Sequence, residues 1–441
     1  MDYTNTTGTQ LNFVPKPYNI YGEHLIDPHS KIQMEMAMSF PFSKAGVLSC
    51  DAHQGYALPI GGVWATDASI VVPYAIGFDI ACRVQLSITN VLTTREDIWT
   101  IKDKLKAILM RETVFGVGRA HIDKFTGECQ FTKEDALAVF DSPEWTTTKL
   151  LRDLKDMAYA QYGTSGSGNH FVEIGVVDVP DDQASTFNLP TGGTYLSILS
   201  HSGSRGFGHN VCTHYSEIAK KQHPELKTMA PYKGTADHPV NFEWIDFSWL
   251  DLNTQEGIEY WNAMTLARDY ARGNHNQIHN KILKALNLSH GADLAFCVQN
   301  EHNLAWKETH VMADGSLQEV NVHRKGATPA FAGQMGIIPA TCKDATHVVI
   351  GKGNPDALCS SSHGAGRVMS RSKANKVIPR NWKDEMAANL IEIHGAGRDE
   401  SDQVYKRIDE VMAAQTELVE TVAKFYPSLV RMADPREKPE D

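Results

Sequence analysis

No stretch of this 441-residue chain approaches the ~18 consecutive apolar residues that a membrane-spanning helix requires. Its start, Met1-Asp2-Tyr3-Thr4-Asn5, has neither the basic opening nor the apolar run of a secretory signal. There is no CxxC pair among the seven cysteines, Cys50, Cys82, Cys129, Cys212, Cys297, Cys342 and Cys359. An odd, scattered set argues against a disulfide framework and for a reducing, cytoplasmic setting. There is no low-complexity segment and no long linker. Positive charge is also in deficit. The net charge is −11, so the chain as a whole is no generic polyanion binder. A nucleic-acid substrate needs a local basic surface. Residues 363–383 offer one: Arg367, Arg371, Lys373, Lys376, Arg380 and Lys383, with no Asp or Glu among them.

What remains is an enzyme-like composition, 42% apolar and 22% charged. Length alone gives a prior of about three domains. The candidate site residues run from Asp79 to His363 and must converge, which favours one large catalytic domain over 1–441. Residues 1–40 are weakly patterned and read as an N-terminal arm, and 432–441 as a polar tail. Short apolar runs alternate with Gly and Pro from Ala45 to Leu86 and read as strands. Ile98, Ile101, Leu105 and Ile108 follow helical spacing. Phe171 to Val177 and Tyr195 to Leu199 read as strands, which puts His170 and His201 at strand ends. Residues 253–286 read as one or two helices, with Ile258, Trp261, Ile278, Ile282 and Leu286 as core contacts and Gly273 as a possible break. Val311 to Val322 reads as a hairpin turned at Asp314-Gly315. Val404, Ile408, Val411, Leu418 and Val422 predict a last amphipathic helix. Strands and helices mix without regular βαβ alternation, so the expected class is α+β.

The chemistry-bearing residues sit in Gly-rich turns. Asp79 and Cys82 lie in Gly77-Phe78-Asp79-Ile80-Ala81-Cys82, where a short turn aims both at one point. His170 closes Gly166-Ser167-Gly168-Asn169-His170. His201 opens His201-Ser202-Gly203-Ser204-Arg205-Gly206, and His302 lies in Asn300-Glu301-His302-Asn303. A carboxylate, a thiolate and imidazoles form a ligand set for a borderline divalent transition metal, and a thiolate can bridge two of them. Each residue alone has a bland reading, as a turn cap, a buried thiol or a hydrogen-bonded structural histidine. With 19 histidines, spacing by itself does not select three. Ser362-His363-Gly364-Ala365-Gly366-Arg367 adds a histidine among backbone N–H groups, Ser and Arg, which suits phosphate chemistry. A near copy, His394-Gly395-Ala396-Gly397-Arg398, lacks the basic run that follows and reads as a loop. Together these turns point to a metal-dependent nucleotidyl-transfer enzyme.

These motifs, preceded by Asp51-Ala52-His53-Gln54-Gly55, occur in an order that resembles the RtcB family of RNA ligases, from about Cys50 to Tyr426. The resemblance implies that family's α+β architecture with a central metal and nucleotide cleft. It implies joining of an RNA 3′-phosphate or 2′,3′-cyclic phosphate to a 5′-hydroxyl, with GTP and two Mn²⁺ ions, in RNA repair or tRNA splicing. It implies His363 as the nucleophile that takes GMP, and Cys82 as a bridge between two metals. Asp79 and His170 would complete one metal site, and His201 and His302 the other. It places Asn169, Glu173, Arg205, His302, Asn303, Pro339, Thr341, Thr346, Gly364, Ala365, Gly366, Arg367 and Tyr405 around the nucleotide. RNA with 3′-phosphate and 5′-hydroxyl ends is the implied substrate, and an archease-like activating protein the implied partner.

Two departures mark a divergent paralogue. Pro339-Ala340-Thr341-Cys342-Lys343-Asp344-Ala345-Thr346 replaces a turn of small residues. The C-terminal Lys-Gly whose lysine reads guanine is replaced by Arg431 and a polar tail, with Arg431 as the candidate substitute. Other classes compatible with the residues are a nucleotidyltransferase or end-capping enzyme, a metal-dependent phosphoesterase, and a non-catalytic RNA-binding paralogue. A covalent adduct on His363 separates the nucleotidyl-transfer classes from the others.

Overall fold

The largest sheet has eight strands, and its course decides where the site lies. Its strand order is Leu294–Glu301, Arg83–Leu92, Gly193–Ser202, Phe171–Val179, Val419–Met432, Thr346–Gly351 and Met335–Ile338, with Glu392–His394 pairing beside Val419–Met432. The computed structural model describes residues 2–4, 10–12, 14–120, 138–234, 239–289 and 292–437. Cys129 and parts of the expected N-terminal arm and C-terminal tail lie outside the described residues. The sheet curls until its end strands meet. Asn300 joins them: its Nδ2 donates to the Ile337 carbonyl at 3.2 Å, and Ile337 N–H donates to its Oδ1 at 2.9 Å. A buried side-chain amide thus replaces a missing rung of the ladder.

A second sheet of five strands runs Asn303–Val311, Leu317–Lys325, Ile60–Asp67, Ser43–His53 and Asn19–Ile20. The Gly- and Pro-punctuated stretch from Ala45 therefore forms strands as its pattern predicts, and the Asp314-Gly315 hairpin forms as well. The chain passes from the first sheet to the second at one residue, His302. Helices cover the outside. Arg95–Thr100 begins with a Thr94/Asp97 capping box and Lys102–Glu112 follows, with Ile101 exposed at the break between them. Gln255–Ala285 is one unbroken helix. Gly273 does not break it, because the Tyr162 hydroxyl occupies the place of a side chain, 1.8 Å from where a Cβ would stand. Ile278, Ile282 and Leu283 of this helix pack on Val172, Ile174, Val176 and Ile198 of the large sheet. Ile258 is exposed rather than core. The fold is α+β.

Two readings need correction here. Residues 1–40 are not a plain arm, since Pro28–Met38 is a helix whose Met34, Met36 and Met38 are core. The expected helix over 404–422 is only Ile408–Ala413, and Val419–Met432 is a strand. Val404, Ile408 and Val411 keep helical spacing, but Val419, Val422, Phe425, Leu429 and Val430 enter the middle of the sheet. There a strand satisfies ladders on both sides, and that pairing overrides local periodicity.

Asn300→Ala leaves a buried N–H and a buried carbonyl at Ile337 without these partners. The expected loss is about 1–3 kcal/mol. A fall in the urea midpoint measures it, and an unchanged midpoint would show that the sheet closes without Asn300.

Candidate metal centre and adjoining pocket

Four neighbouring strands of the large sheet end at one place. Register pairs Glu301 with Arg83, Val84 with His201, and His201 with Phe171. Cys82, His170, His201 and His302 therefore all fall at the same end of adjacent strands. His302 N–H donates to the Cys82 carbonyl at 2.9 Å and locks the outer pair. In the loop before Cys82, Ala81 takes a left-handed φ of 58°, and Cys82 N–H bonds back to the Asp79 carbonyl at 3.1 Å. This non-glycine left-handed residue folds the Asp79 and Cys82 side chains onto one side. Asp79 is met from the His201 turn by Gly203, where a Cβ would lie 1.9 Å from Asp79 Oδ1. Any larger residue displaces the carboxylate.

The distances define a tight cluster. Cys82 Sγ lies 3.1 Å from His201 Nε2 and 3.5 Å from His170 Nε2. His170 Nε2 lies 3.0 Å from Asp79 Oδ2, and His201 Nε2 lies 3.2 Å from His302 Nε2. The ligand atoms of Cys82, His170 and His201 all lie within 4.8 Å of one another. Backbone carbonyls set the tautomers: His170 Nδ1 bonds to Ser165 O at 2.8 Å, and His201 Nδ1 to Asn169 O at 3.3 Å. A carbonyl only accepts, so both rings donate there and present Nε2 lone pairs to the centre. His170 Nε2 also faces the Asp79 carboxylate, so a proton on that nitrogen, or a cation in its place, bridges the two. The donor set and its tautomers fit a divalent transition metal.

Electrostatics agree. Burial, then the neighbouring imidazoles His170 and His363, push His201 down to about 3. Burial and the same kind of neighbours hold His302 well below the ordinary range. Both are neutral at pH 7, the ligand form. Burial opposes ionisation of Asp79, but hydrogen bonds from His170 and Cys82 and the charge of Arg205 outweigh it. Its carboxyl is held well below the usual range.

His363 stands beside this cluster, its ring centroid 4.9 Å from that of His302. It follows the short strand Ser360–Ser362. Its Nδ1 bonds to Asp51 Oδ2 at 2.7 Å, and its backbone N–H to the same oxygen at 3.2 Å. Asp51 is fully buried on the Ser43–His53 strand. Lys406 clamps that strand through Cys50 O at 3.0 Å and Ala52 O at 2.8 Å. Burial lowers its pKa, against the charge of Asp51. Asp51 had no role in the sequence reading. The signal was present in the first motif, but nothing local says that a carboxylate over 300 positions upstream meets His363.

A cavity of about 890 Å³ opens from His363. Asn169, Glu173, Pro339, Thr341, Thr346, Gly364, Ala365, Gly366, Arg367 and Tyr405 line it, as does His201. Arg367 donates to Tyr405 Oη at 3.2 Å and to Asp399 O at 2.8 Å, while Tyr405 Oη donates to Glu400 at 2.5 Å. Burial pushes Glu173 up to about 8.

Three residues expected around the nucleotide do not line this cavity. Arg205 is buried behind His170, 3.5 Å from its Nδ1 and 3.3 Å from Thr164 Oγ1, so it braces the cluster rather than the cavity wall. Asn303 clamps two loops, donating to Asp79 O at 3.2 Å and accepting from Gly326 N–H at 2.9 Å. His302 belongs to the cluster and does not line the cavity. In the altered turn, Lys343 faces Asp402 at 3.5 Å, and Asp344 accepts from Thr341 at 2.8 Å. Arg431 does not reach the cavity either. Alternation along its strand turns it onto the end of Lys102–Glu112, where it donates to Leu109, Met110 and Thr113 carbonyls. The copy at His394 lines a different cavity. Among the described residues, no helix is long and apolar enough to cross a membrane.

Known proteins carry the same arrangement of sequence. The sequence model of the RtcB family, described as tRNA-splicing ligase RtcB, matches residues 33–433. The chain is 31% identical to the RNA-splicing ligase RtcB of Mycobacterium tuberculosis over 429 residues, 86% of this chain and 94% of that one. It is 32% identical to the Escherichia coli K12 RNA-splicing ligase RtcB over 399 residues, 87% and 89% of the two chains. It is 31% identical to the tRNA-splicing ligase RtcB of Pyrobaculum aerophilum over 423 residues, 82% of each.

Two outcomes follow from the geometry. With Co²⁺ as a spectroscopic probe, a thiolate-to-metal charge-transfer band is expected in the wild type and not in Cys82→Ala. A band that survives the substitution would remove Cys82 from the site. Glu173 binds its proton more tightly folded than unfolded, about 8 against the ordinary 4.5. Folding therefore takes up a proton across that window, and stability falls as pH rises through it. Glu173→Gln is expected to flatten the fall in unfolding free energy between those pH values, and parallel profiles for the two proteins would refute it.

Proposed function

The chain belongs to the RtcB family of tRNA-splicing ligases, and on that premise we propose that it is an RNA ligase driven by GTP and Mn²⁺. It joins an RNA 3′-phosphate or 2′,3′-cyclic phosphate end to a 5′-hydroxyl, in RNA repair or tRNA splicing. The observation that carries the reading is the His363–Asp51 bond at the cavity wall beside the cluster of sulfur and nitrogen donors. Asp51 accepts the hydrogen bond from Nδ1–H and keeps the proton on that nitrogen, so the lone pair at Nε2 is the one available for attack. This is the form a nucleophile needs and a hydrolase does not.

His363 Nε2 attacks the α-phosphorus of GTP, a P–N bond forms, and pyrophosphate leaves with the electron pair of the broken P–O bond. An RNA 3′-phosphate oxygen then displaces His363, so GMP passes to the RNA end. The 5′-hydroxyl attacks that activated phosphate, the phosphodiester forms and GMP departs. A cyclic phosphate is first opened by water. Cys82, His170 and His201, with Asp79 and His302 beside them, would hold Mn²⁺, which supplies charge neutralisation at phosphate oxygens when bound. The Gly364-Ala365-Gly366 backbone gives close approach to phosphate at the cavity wall, and Arg367, held by Tyr405 and Asp399, adds fixed positive charge. Neither Lys343 nor Arg431 faces this cavity, so the base edge meets the neutral, protonated Glu173 and the Thr341 and Thr346 hydroxyls.

Incubation with labelled GTP and Mn²⁺ is expected to place one GMP on His363, labile to acid and stable to base. Asp51→Asn is expected to keep metal binding and slow adduct formation by about 10²–10⁴-fold, the scale seen when a buried carboxylate that sets a histidine tautomer is neutralised. An adduct mapped to lysine, or none at all, overturns the mechanism. ATP is expected to form measurable adduct beside GTP. Strict GTP dependence would mean that another residue reads guanine.

A further inference from the structure

A row of aromatic rings that the chemistry at His363 leaves unused reaches the cavity around His363 at Tyr56. Tyr56 lines that cavity and is 40% exposed. Its ring packs against Tyr74 and against Phe78, with centroids 5.5 Å apart in both cases. Phe78 in turn stacks on the exposed His209 at 4.9 Å and 25°. Phe78 directly precedes Asp79, so the rings begin next to the metal centre and run outward. The Tyr56 loop is held in place by the buried Gln33, whose Nε2 donates to the Gly55 and Tyr56 carbonyls and whose Oε1 accepts from Gly55 N–H at 2.9 Å. The buried Lys325 holds its ammonium 5.1 Å from the Tyr56 ring centroid and so fixes that ring, and the exposed Lys373 lines the same cavity as Tyr56.

We propose that Tyr56, Phe78 and His209 form a stacking platform for the unpaired nucleobases of an RNA end whose terminus enters the His363 cavity. The proposal rests on the ligase reading above and adds the residues that position the strand. Every base has a π-face, so stacking on fixed rings holds a strand end without demanding a sequence, while the exposed Lys373 takes its phosphates. A protein partner fits less well. A stable protein interface covers about 800 Å² on each side, and this surface is a few rings on the wall of a catalytic cavity. The three side chains are positioning residues and touch no reacting atom.

The test uses the full chain and short single-stranded RNAs that carry 2-aminopurine as the terminal base, at the 3′-phosphate end in one series and at the 5′-hydroxyl end in the other. Binding to the wild type is expected to quench the probe, and the quenched end identifies the strand held. Tyr56→Ala is expected to lose the quenching and bind RNA about tenfold more weakly, with Tyr56→Trp restoring both. An abasic terminal nucleotide is expected to weaken binding to the wild type by a similar factor and to add nothing in Tyr56→Ala. No quenching at either end, or RNA affinity unchanged in Tyr56→Ala, overturns the platform. So does loss of a protein partner with RNA binding intact, which would assign the surface to that partner. Failure of the ligase reading is seen separately, as absence of the GMP adduct on wild-type His363.

Discussion

The hydrogen bond from His302 N–H to the Cys82 carbonyl, 2.9 Å long, is the point on which the two sheets turn. On one side of it the large sheet ends, and on the other the chain enters the five-stranded sheet. Because Leu294–Glu301, Arg83–Leu92, Gly193–Ser202 and Phe171–Val179 are antiparallel neighbours in register, the last residues of two and the first of the other two converge without any loop having to reach. A slip of one residue in any of these pairs would turn a donor to the opposite face. The curl closed by Asn300 and Ile337 serves the same end, since it prevents the outermost strand from drifting away from its partners.

Charge is arranged around that junction so that its imidazoles stay neutral. Burial keeps His201 and His302 unprotonated, while Asp79 carries the negative charge of the centre. Arg205, buried behind His170, offsets part of it. Asp51, a fully buried carboxylate, belongs to the other sheet and hydrogen-bonds to His363. Lys406, inserted between the carbonyls of Cys50 and Ala52, gives it a counter-charge without touching the ring it orients. The cysteine–histidine cluster and His363 thus come from different sheets and meet at His302, whose ring lies 5.1 Å from His201 and 4.9 Å from His363.

The cavity reflects this two-sided origin. The Asn169 to Glu173 end comes from the large sheet, and the His363 turn follows a strand paired with Ala327–Pro329. Its far wall is built by Tyr56 and the Pro28–Met38 helix segment, a part of the chain whose weak patterning gave little warning that it packs at all. Much of the basic run is spent internally. Arg367 and Arg371 meet Glu400 and Asp399, and Lys383 donates to the Gly395 and Ala396 carbonyls. Lys373, Lys376 and Arg380 remain exposed.

The amino-acid sequence by itself determined the ligand types, the turns that carry them and the mixed α+β character. These are local properties: a glycine beside a histidine, a Gly-Phe-Asp-x-x-Cys loop, a Gly- and Pro-punctuated strand pattern. It also showed where the nucleotide-side motifs depart from those of the family. Tertiary structure alone decided the rest. The helical spacing read over 404–422 runs into Val419–Met432, which is a strand because two neighbours need its ladder. Arg205, Asn303 and Arg431 carry the right chemistry for a nucleotide but are turned to bracing, clamping and helix-end contacts by where their backbones run. Asp51 becomes the partner of His363, and Tyr56 and His209 come to flank Phe78, through contacts between segments far apart in the chain. Periodicity reports only which face of an element is apolar, whereas the pairing of distant strands sets which polar atoms end within hydrogen-bond reach.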